Sequence, residues 1–113
     1  MPFATLDDNF PDHPKVFGLS DAAFRLHVSG IVYCARHKTD GNVPVEKVRT
    51  LVPRFRPAAL RELVDRGMWQ DVLGGAYYVH DYLDWNLSRE QIDSRREARA
   101  RSGRKGAMKR WSA

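Results

Sequence analysis

The sequence has little cysteine and no long apolar run. Cys34 is the single cysteine, so an intramolecular disulfide is excluded. No stretch reaches the roughly 18 consecutive apolar residues that a membrane-spanning helix requires. The N-terminal residues are acidic and lack the apolar segment of a secretory signal. We therefore expect a cytoplasmic protein that has no attachment to a membrane.

Motifs that catalyse reactions or hold cofactors are also missing. The sequence contains no phosphate-binding glycine loop, dinucleotide fingerprint or nucleophile elbow. His27, Cys34 and His37 are spaced to share a helix face, but structural zinc requires four ligands at closer spacing. His80 and Asp81 fall in a predicted strand, where adjacent side chains point to opposite faces. We expect no enzymatic activity, no cofactor and no metal site.

Charge is distributed unevenly along the 113 residues. Residues 1–85 hold 10 Lys and Arg against 11 Asp and Glu, a net charge of −1. Residues 86–113 hold 9 Lys and Arg against 3 acidic residues, a net charge of +6. A near-neutral body with a basic C-terminal arm favours a polyanionic partner, usually nucleic acid. A solvated helix that its charges keep soluble is the alternative.

Three helices are predicted in the first part of the chain. Apolar residues recur at helical spacing at Phe24, Val28, Ile31 and Ala35. With Ser20 as the N-cap, they predict a helix over about 20–36. A short strand at Val43 and a second helix over 44–52 follow. A third helix starts at Pro57 and ends at Gly67, while residues 1–19 are expected to be irregular.

Aromatic and β-branched residues around a diglycine predict a β-hairpin after the third helix. Its arms are residues 68–72 and 76–83, with the turn at Gly74 and Gly75. Two short helices joined by a turn form a helix-turn-helix. The fold class we predict is mainly α with a small β-hairpin, a winged helix-turn-helix plus a C-terminal basic helix.

A fourth helix is predicted to begin at a capping box, Ser88 to Gln91, and to run to about Arg101. Glycine at 103 and 106 is then expected to loosen the chain into a flexible tail. The sequence therefore divides into a winged helix-turn-helix domain over residues 1–87 and a basic helix and tail over residues 88–113.

The sequence resembles a known group of proteins over about residues 5–101. The segments that carry the resemblance are 12–26, 33–36, 40–43, 63–69 and 79–89. They look like small helix-turn-helix proteins of actinobacterial phages and prophages. These proteins are similar to the N-terminal winged-helix domain of phage replisome organisers and DnaD-like primosome proteins. The resemblance implies a winged helix that acts on DNA, and it identifies no particular catalytic or base-reading residue.

Candidate DNA contacts in the body lie at the third helix, which is the expected recognition helix. Its exposed charges are predicted to be Arg61, Glu62, Asp65 and Arg66, whose sum is zero. Arg61 is suited to reading a guanine edge. Arg54 and Arg56 precede the helix and are better placed to bind phosphate, because free backbone N–H groups there add to their charge.

The fourth helix separates its charges into two faces. At about 100° per residue, the acidic side chains of Glu90, Asp93 and Glu97 fall within an arc of about 60°. The guanidinium groups of Arg89, Arg95, Arg96 and Arg99 lie on the other side, over about 120°. The basic surface continues with Arg104, Lys105, Lys109 and Arg110. Such a surface gives affinity for phosphates without sequence information.

The hairpin differs from a typical DNA-contacting wing. Residues 67–85 contain no Lys or Arg, and they include Asp71, Asp81 and Asp84. The aromatic residues of this region suit either stacking on single-stranded bases or packing of the sheet on the helices. We predict a protein that binds double-stranded DNA in phage replication initiation or transcriptional regulation. The alternative is an adaptor whose acidic aromatic hairpin docks onto a replication or transcription protein.

Overall fold

The computed structural model describes residues 3–72, 74–80, 82–86 and 88–111, without the side chains of 84, 85 and 103–111. Over these ranges the chain is a mixed α/β structure in which helices accompany a small three-stranded antiparallel sheet. The N-terminal segment is more regular than expected. It contains a 3₁₀ turn, Phe10–Asp12, and the short helix α1, Pro14–Phe17. Each of these two elements has a proline in its first positions, where the fixed φ of the ring suits a helix start, so the prolines begin helical segments here.

The longest helix of the body, α2, spans Asp21–His37 and confirms the first predicted helix. The hydroxyl of Ser20 accepts a hydrogen bond from the N–H of Ala23 over 3.2 Å, which caps the helix start. At the other end Lys38 adopts a left-handed backbone (φ 53°), and its N–H bonds to the carbonyl of Cys34. Local hydrogen bonds to the terminal backbone groups therefore determine where α2 begins and ends.

The second predicted helix is much shorter than expected. Strand β1, Asn42–Pro44, precedes helix α3, Val45–Val48. Pro44 pairs with Ala76 in the sheet, so the proline ends a strand where a first helical position was expected. The N–H of Val45 is bonded to the carbonyl of Gly75 over 2.8 Å. The third predicted helix is confirmed as α4, Pro57–Asp65, and Gly67 follows it with φ +72°.

Strands β2, Trp69–Val72, and β3, Ala76–Val79, form the predicted hairpin. Trp69 lies opposite Val79 and Val72 lies opposite Ala76, with β3 in the centre of the sheet between β1 and β2. The expectation that the second arm reaches residue 83 is wrong. The chain turns after Val79 into the short helix α5, Tyr82–Trp85, because burial of Tyr82 favours a turn toward the core.

The core lies between α2, α4 and the sheet. Its largest fully buried side chains are those of Trp69, Leu26, Leu63, Val43, Val48 and Val79. Gly30 permits the close approach of α2 to β2, since a Cβ at that position would lie 2.4 Å from the Trp69 ring. The packing of the indole thus requires a position on α2 without a side chain.

Helix α6, Arg89–Trp111, follows the predicted capping box. The N–H of Ser88 donates to Gln91 Oε1 over 2.9 Å, and the N–H of Gln91 donates to Ser88 Oγ over 3.2 Å. The expected end near Arg101 is wrong, because the helix continues through both glycines. A glycine costs a helix about 1 kcal/mol relative to alanine, and the surrounding Ala, Arg, Lys and Met residues are strong helix formers.

Candidate nucleic-acid interface

Two of the predicted DNA-contacting arginines flank the start of α4. Arg54 and Arg56 are exposed, and with Arg25 of α2 they line a cavity of about 40 Å³. Pro57 has no N–H, and the N–H of Ala59 bonds to the carbonyl of Arg56 over 2.9 Å. The expected help from free backbone N–H groups is therefore small. Attraction of a phosphate here depends on the guanidinium groups.

The exposed face of α4 carries less free charge than the sequence indicated. Glu62 is half-buried, and its Oε2 accepts the backbone N–H of the N-cap residue of α2 over 2.8 Å. The guanidinium of Arg66 lies against Gly18, where a Cβ would meet it at 2.7 Å. Arg61, Asp65 and Arg66 are exposed, and together with Glu62 their charges sum to zero. This face offers a polyanion little net attraction.

The start of α6 is attached to the end of α2 by two polar contacts. Asp40 Oδ1 accepts the backbone N–H of Arg89 over 2.7 Å. Lys38 Nζ pairs with Asp93 Oδ1 over 3.0 Å. The hydrogen bond from Lys38 lowers the pKa of Asp93, and the charges of Lys38, Arg89 and Arg96 add to the effect. One acidic side chain of the arm is thus directed at the body.

The four arginines of the predicted basic face of α6 are all exposed: Arg89, Arg95, Arg96 and Arg99. Arg95 and Arg99 lie about 160° and 120° around the helix from Asp93, so they point away from the contact with Lys38. Ile92 is half-buried, and every other side chain over residues 89–102 is exposed. The side chains of Arg104, Lys105, Lys109 and Arg110 lie outside the described part of the structure.

Burial removes much of the hairpin's aromatic surface. Trp69 is 1% exposed and Tyr82 is 3% exposed, so neither is free to stack on a base. Tyr77 and Tyr78 are half-buried, and Asp71 is exposed on β2. Two further predicted acidic groups, residue 81 and the side chain of residue 84, lie outside the described part. The aromatic residues of the hairpin therefore serve mainly to pack the sheet onto the helices.

The histidines and the cysteine of α2 lie in different environments. His27 is 5% exposed, and its Nδ1 accepts a hydrogen bond from Trp69 Nε1 over 2.9 Å. Burial lowers the pKa of His27 to about 4. Burial also raises the pKa of the Cys34 thiol, while exposed His37 packs its ring on Tyr33 at 4.4 Å. His27 is therefore a hydrogen-bond acceptor in the core.

A second group of cations was missed by the sequence reasoning. Arg25 and Arg36 are exposed on α2, and Lys47 and Arg49 are exposed in and just after α3. The guanidinium of Arg49 lies 5.6 Å from the centre of the Phe55 ring. The sequence contained this signal, because Arg25 and Arg36 are eleven residues apart and fall on one face of the helix, about 100° from its predicted apolar stripe.

Comparison of the chain with protein-family models, with curated proteins and with solved structures finds no match. Over the described residues, no helix is both long enough and apolar enough to cross a bilayer. The same residues contain no group of three or more His, Cys, Asp or Glu side chains arranged to hold a metal ion.

Proposed function

We propose that the chain is a DNA-binding protein of the winged helix-turn-helix class that holds duplex DNA mainly through its phosphates. The order α2, β1, α3, α4, β2, β3, with β3 in the centre of the sheet, is consistent with this class. The resemblance to phage and prophage proteins suggests a role in replication initiation or transcriptional regulation. Either role would be carried out in the cytoplasm, where the phage genome is copied and read.

The separation of charge on α6 is the observation that carries the proposal. Asp93 is held on the body by Lys38, while Arg95 and Arg99 face away from that contact and are fully accessible. The helix has 23 residues and is therefore about 34 Å long, close to one turn of B-form DNA. The four arginines of its basic face, from Arg89 to Arg99, span about 15 Å of this length and can neutralise up to four phosphates of a duplex laid along the helix.

The body adds further contacts at the start of α4. Arg54 and Arg56 are exposed there, and Arg61 follows one turn into the helix. Arg61 is the residue of this helix best suited to a base contact, because its planar guanidinium matches the O6 and N7 acceptors of guanine. A single such contact gives weak sequence discrimination, about 1–3 kcal/mol.

The test is duplex binding by fluorescence anisotropy over a range of salt concentrations. Replacing Arg89, Arg95, Arg96 and Arg99 with Gln removes up to four phosphate contacts. The slope of log affinity against log salt should then flatten by about 3–4. The matched variant replaces Glu90 and Glu97 with Gln and keeps Asp93, because Asp93 pairs with Lys38.

The matched variant should bind at least as tightly as the unmodified chain, since it loses repulsion from phosphate. Absence of measurable duplex binding by the unmodified chain at 50 mM salt would refute the proposal. An unchanged salt slope in the arginine variant would exclude α6 as the phosphate-binding element.

A further inference from the structure

The near-neutral charge of the body conceals two regions of opposite sign. Residues 22–56 hold seven Lys and Arg against two acidic residues, a net charge of +5. The rest of the body, residues 1–21 and 57–85, holds three Lys and Arg against nine acidic residues, a net charge of −6. The cations of the first region are therefore not balanced by their own neighbours in the chain.

Folding brings most of these cations together in two surface regions that meet along one face of α2, and we name this surface the basic edge. It is formed by Arg25 and Arg36 of α2, Lys47 of α3, and Arg49, Arg54 and Arg56 of the segment that leads to α4. On α2 the positions 25, 29, 32 and 36 fall within an arc of about 60°. Arg25 and Arg36 are thus on one face, about 16 Å apart along the helix axis.

Two concave regions of the surface bring cations of different segments together. Arg25 of α2 shares a small cavity with Arg54 and Arg56. Arg36 of α2 shares a groove of about 430 Å³ with Lys47. The groove is also lined by the side chains of Ser29, Tyr33, His37 and Thr50. Cations and hydroxyl groups on a concave surface are the groups that bind nucleic-acid phosphates.

The cations of the basic edge are not neutralised by ion pairs. Within the described part of the chain, the ion pair is Lys38 with Asp93, and no carboxylate lies within 4.0 Å of Arg25, Arg36 or Lys47. The acidic residues nearest in sequence are Asp21 and Glu46, which are exposed, and Asp40, which is half-buried and accepts the backbone N–H of Arg89. The charge of the edge is thus available to a partner.

The basic edge continues into the arm. Lys38, which holds Asp93, comes directly after the end of α2 at which Arg36 lies, and Asp40 holds the first residue of α6. The anchoring contacts therefore place the start of the arginine face of α6 at the same end of α2 as the groove.

We propose that duplex DNA lies along the basic edge and the arm, and that the exposed face of α4 is not the main DNA contact of the body. This inference rests on the proposed function. Its consequence is binding with little dependence on base sequence, because contacts with phosphates carry no sequence information.

The experiment compares two variants of the full chain that each lose three positive charges. The edge variant carries Arg25→Gln, Arg36→Gln and Lys47→Gln. The control variant carries Lys15→Gln, Arg61→Gln and Arg66→Gln, which removes the cations of the rest of the body. Both have the same net charge, so a difference between them reports position. The probes are two unrelated 20-base-pair duplexes, read by fluorescence anisotropy over a range of salt concentrations.

For the edge variant we expect the salt slope to flatten by about 2–3 and the affinity at 0.1 M salt to fall on the order of 10²-fold for both duplexes. The control variant should lose less affinity than the edge variant, and its slope should flatten by about one at most, because Arg61 is the one cation of its three to which the proposed function gives a DNA contact. A third variant with Arg25→Lys and Arg36→Lys keeps the charge and should bind within a few-fold of the unmodified chain. Circular dichroism melting of each variant verifies that it is folded.

Weaker binding by the control variant than by the edge variant would overturn the inference and return the contact to α4. Equal losses in the two variants would overturn it as well, because position would then have no effect. An unmodified chain that does not bind either duplex would refute the proposed function itself, and this result is distinct from the other two.

Discussion

The buried pair of His27 and Trp69 makes the stability of the body depend on pH. The folded protein lowers the pKa of His27 from 6.5 to about 4, because the imidazole is desolvated in the core. The unfolded chain therefore binds a proton more readily between these two values. The stabilisation is fully present above pH 6.5 and is lost as the pH falls toward 4.

The size of the effect follows from the two pKa values. At pH 5 the lowered pKa reduces the free energy of unfolding by about 2 kcal/mol, and below pH 4 the reduction reaches about 3 kcal/mol. Solvent screens the charge of a protonated His27 only weakly, since the side chain is 5% exposed. A small domain has roughly 5–15 kcal/mol of stability in total, so a loss of 2 kcal/mol is readily measured.

The assay is urea unfolding at pH 7 and pH 5 for the unmodified chain and for His27→Gln. The amide oxygen of glutamine can accept the hydrogen bond from Trp69 Nε1 but does not titrate. Between pH 7 and pH 5 the variant should lose about 2 kcal/mol less than the unmodified chain. His37→Gln, at an exposed histidine, is the control and should follow the unmodified chain. Equal pH dependence of the His27 variant and the unmodified chain would refute the reasoning.

Two further substitutions test the packing and the arm. Gly30→Ala should destabilise the fold by about 1–3 kcal/mol or more in urea unfolding, because the added Cβ would lie 2.4 Å from the Trp69 ring. A neutral result would mean that helix α2 moves away from the sheet without cost. Ser88→Ala removes the cap of α6 and should cost about 0.5–2 kcal/mol of helix stability. This loss should appear as a lower helical signal in circular dichroism, whereas Ser88→Asp should retain the signal of the unmodified chain. An unchanged signal for the alanine variant would show that the anchoring contacts with the body suffice to start the helix.

Local signals in the sequence predicted those parts of the fold that local interactions determine. Ser20 and Ser88 are caps in the structure, as their side chains indicated. The diglycine of the hairpin adopts positive φ at Gly74 and Gly75, which few other residues tolerate. Each of these features depends on residues within a few positions of one another, so the sequence was sufficient to locate them.

Contacts between distant segments determine the features that were missed. The sheet uses Pro44 as a strand residue, because β3 supplies a partner that the local sequence does not show. Burial of Tyr82 ends the second arm of the hairpin early, and this too depends on a core built from other elements. The hydrogen bond of His27 was not predicted, because its partner, Trp69, is 42 residues away in the sequence.

The charge of the body shows how a sum along the chain can mislead. Counted over residues 1–85, positive and negative charges nearly cancel, and the count therefore gave no sign of Arg25, Arg36 and Lys47 as DNA contacts. In three dimensions the helix α2 and the segment after β1 bring Arg36 and Lys47 to one groove. Glu62, which the sequence analysis counted among the exposed charges of α4, instead accepts the backbone N–H of Ser20, the N-cap of α2. The electrostatic footprint of the protein is thus set by which elements pack together, and the same composition folded another way would present a different surface to DNA.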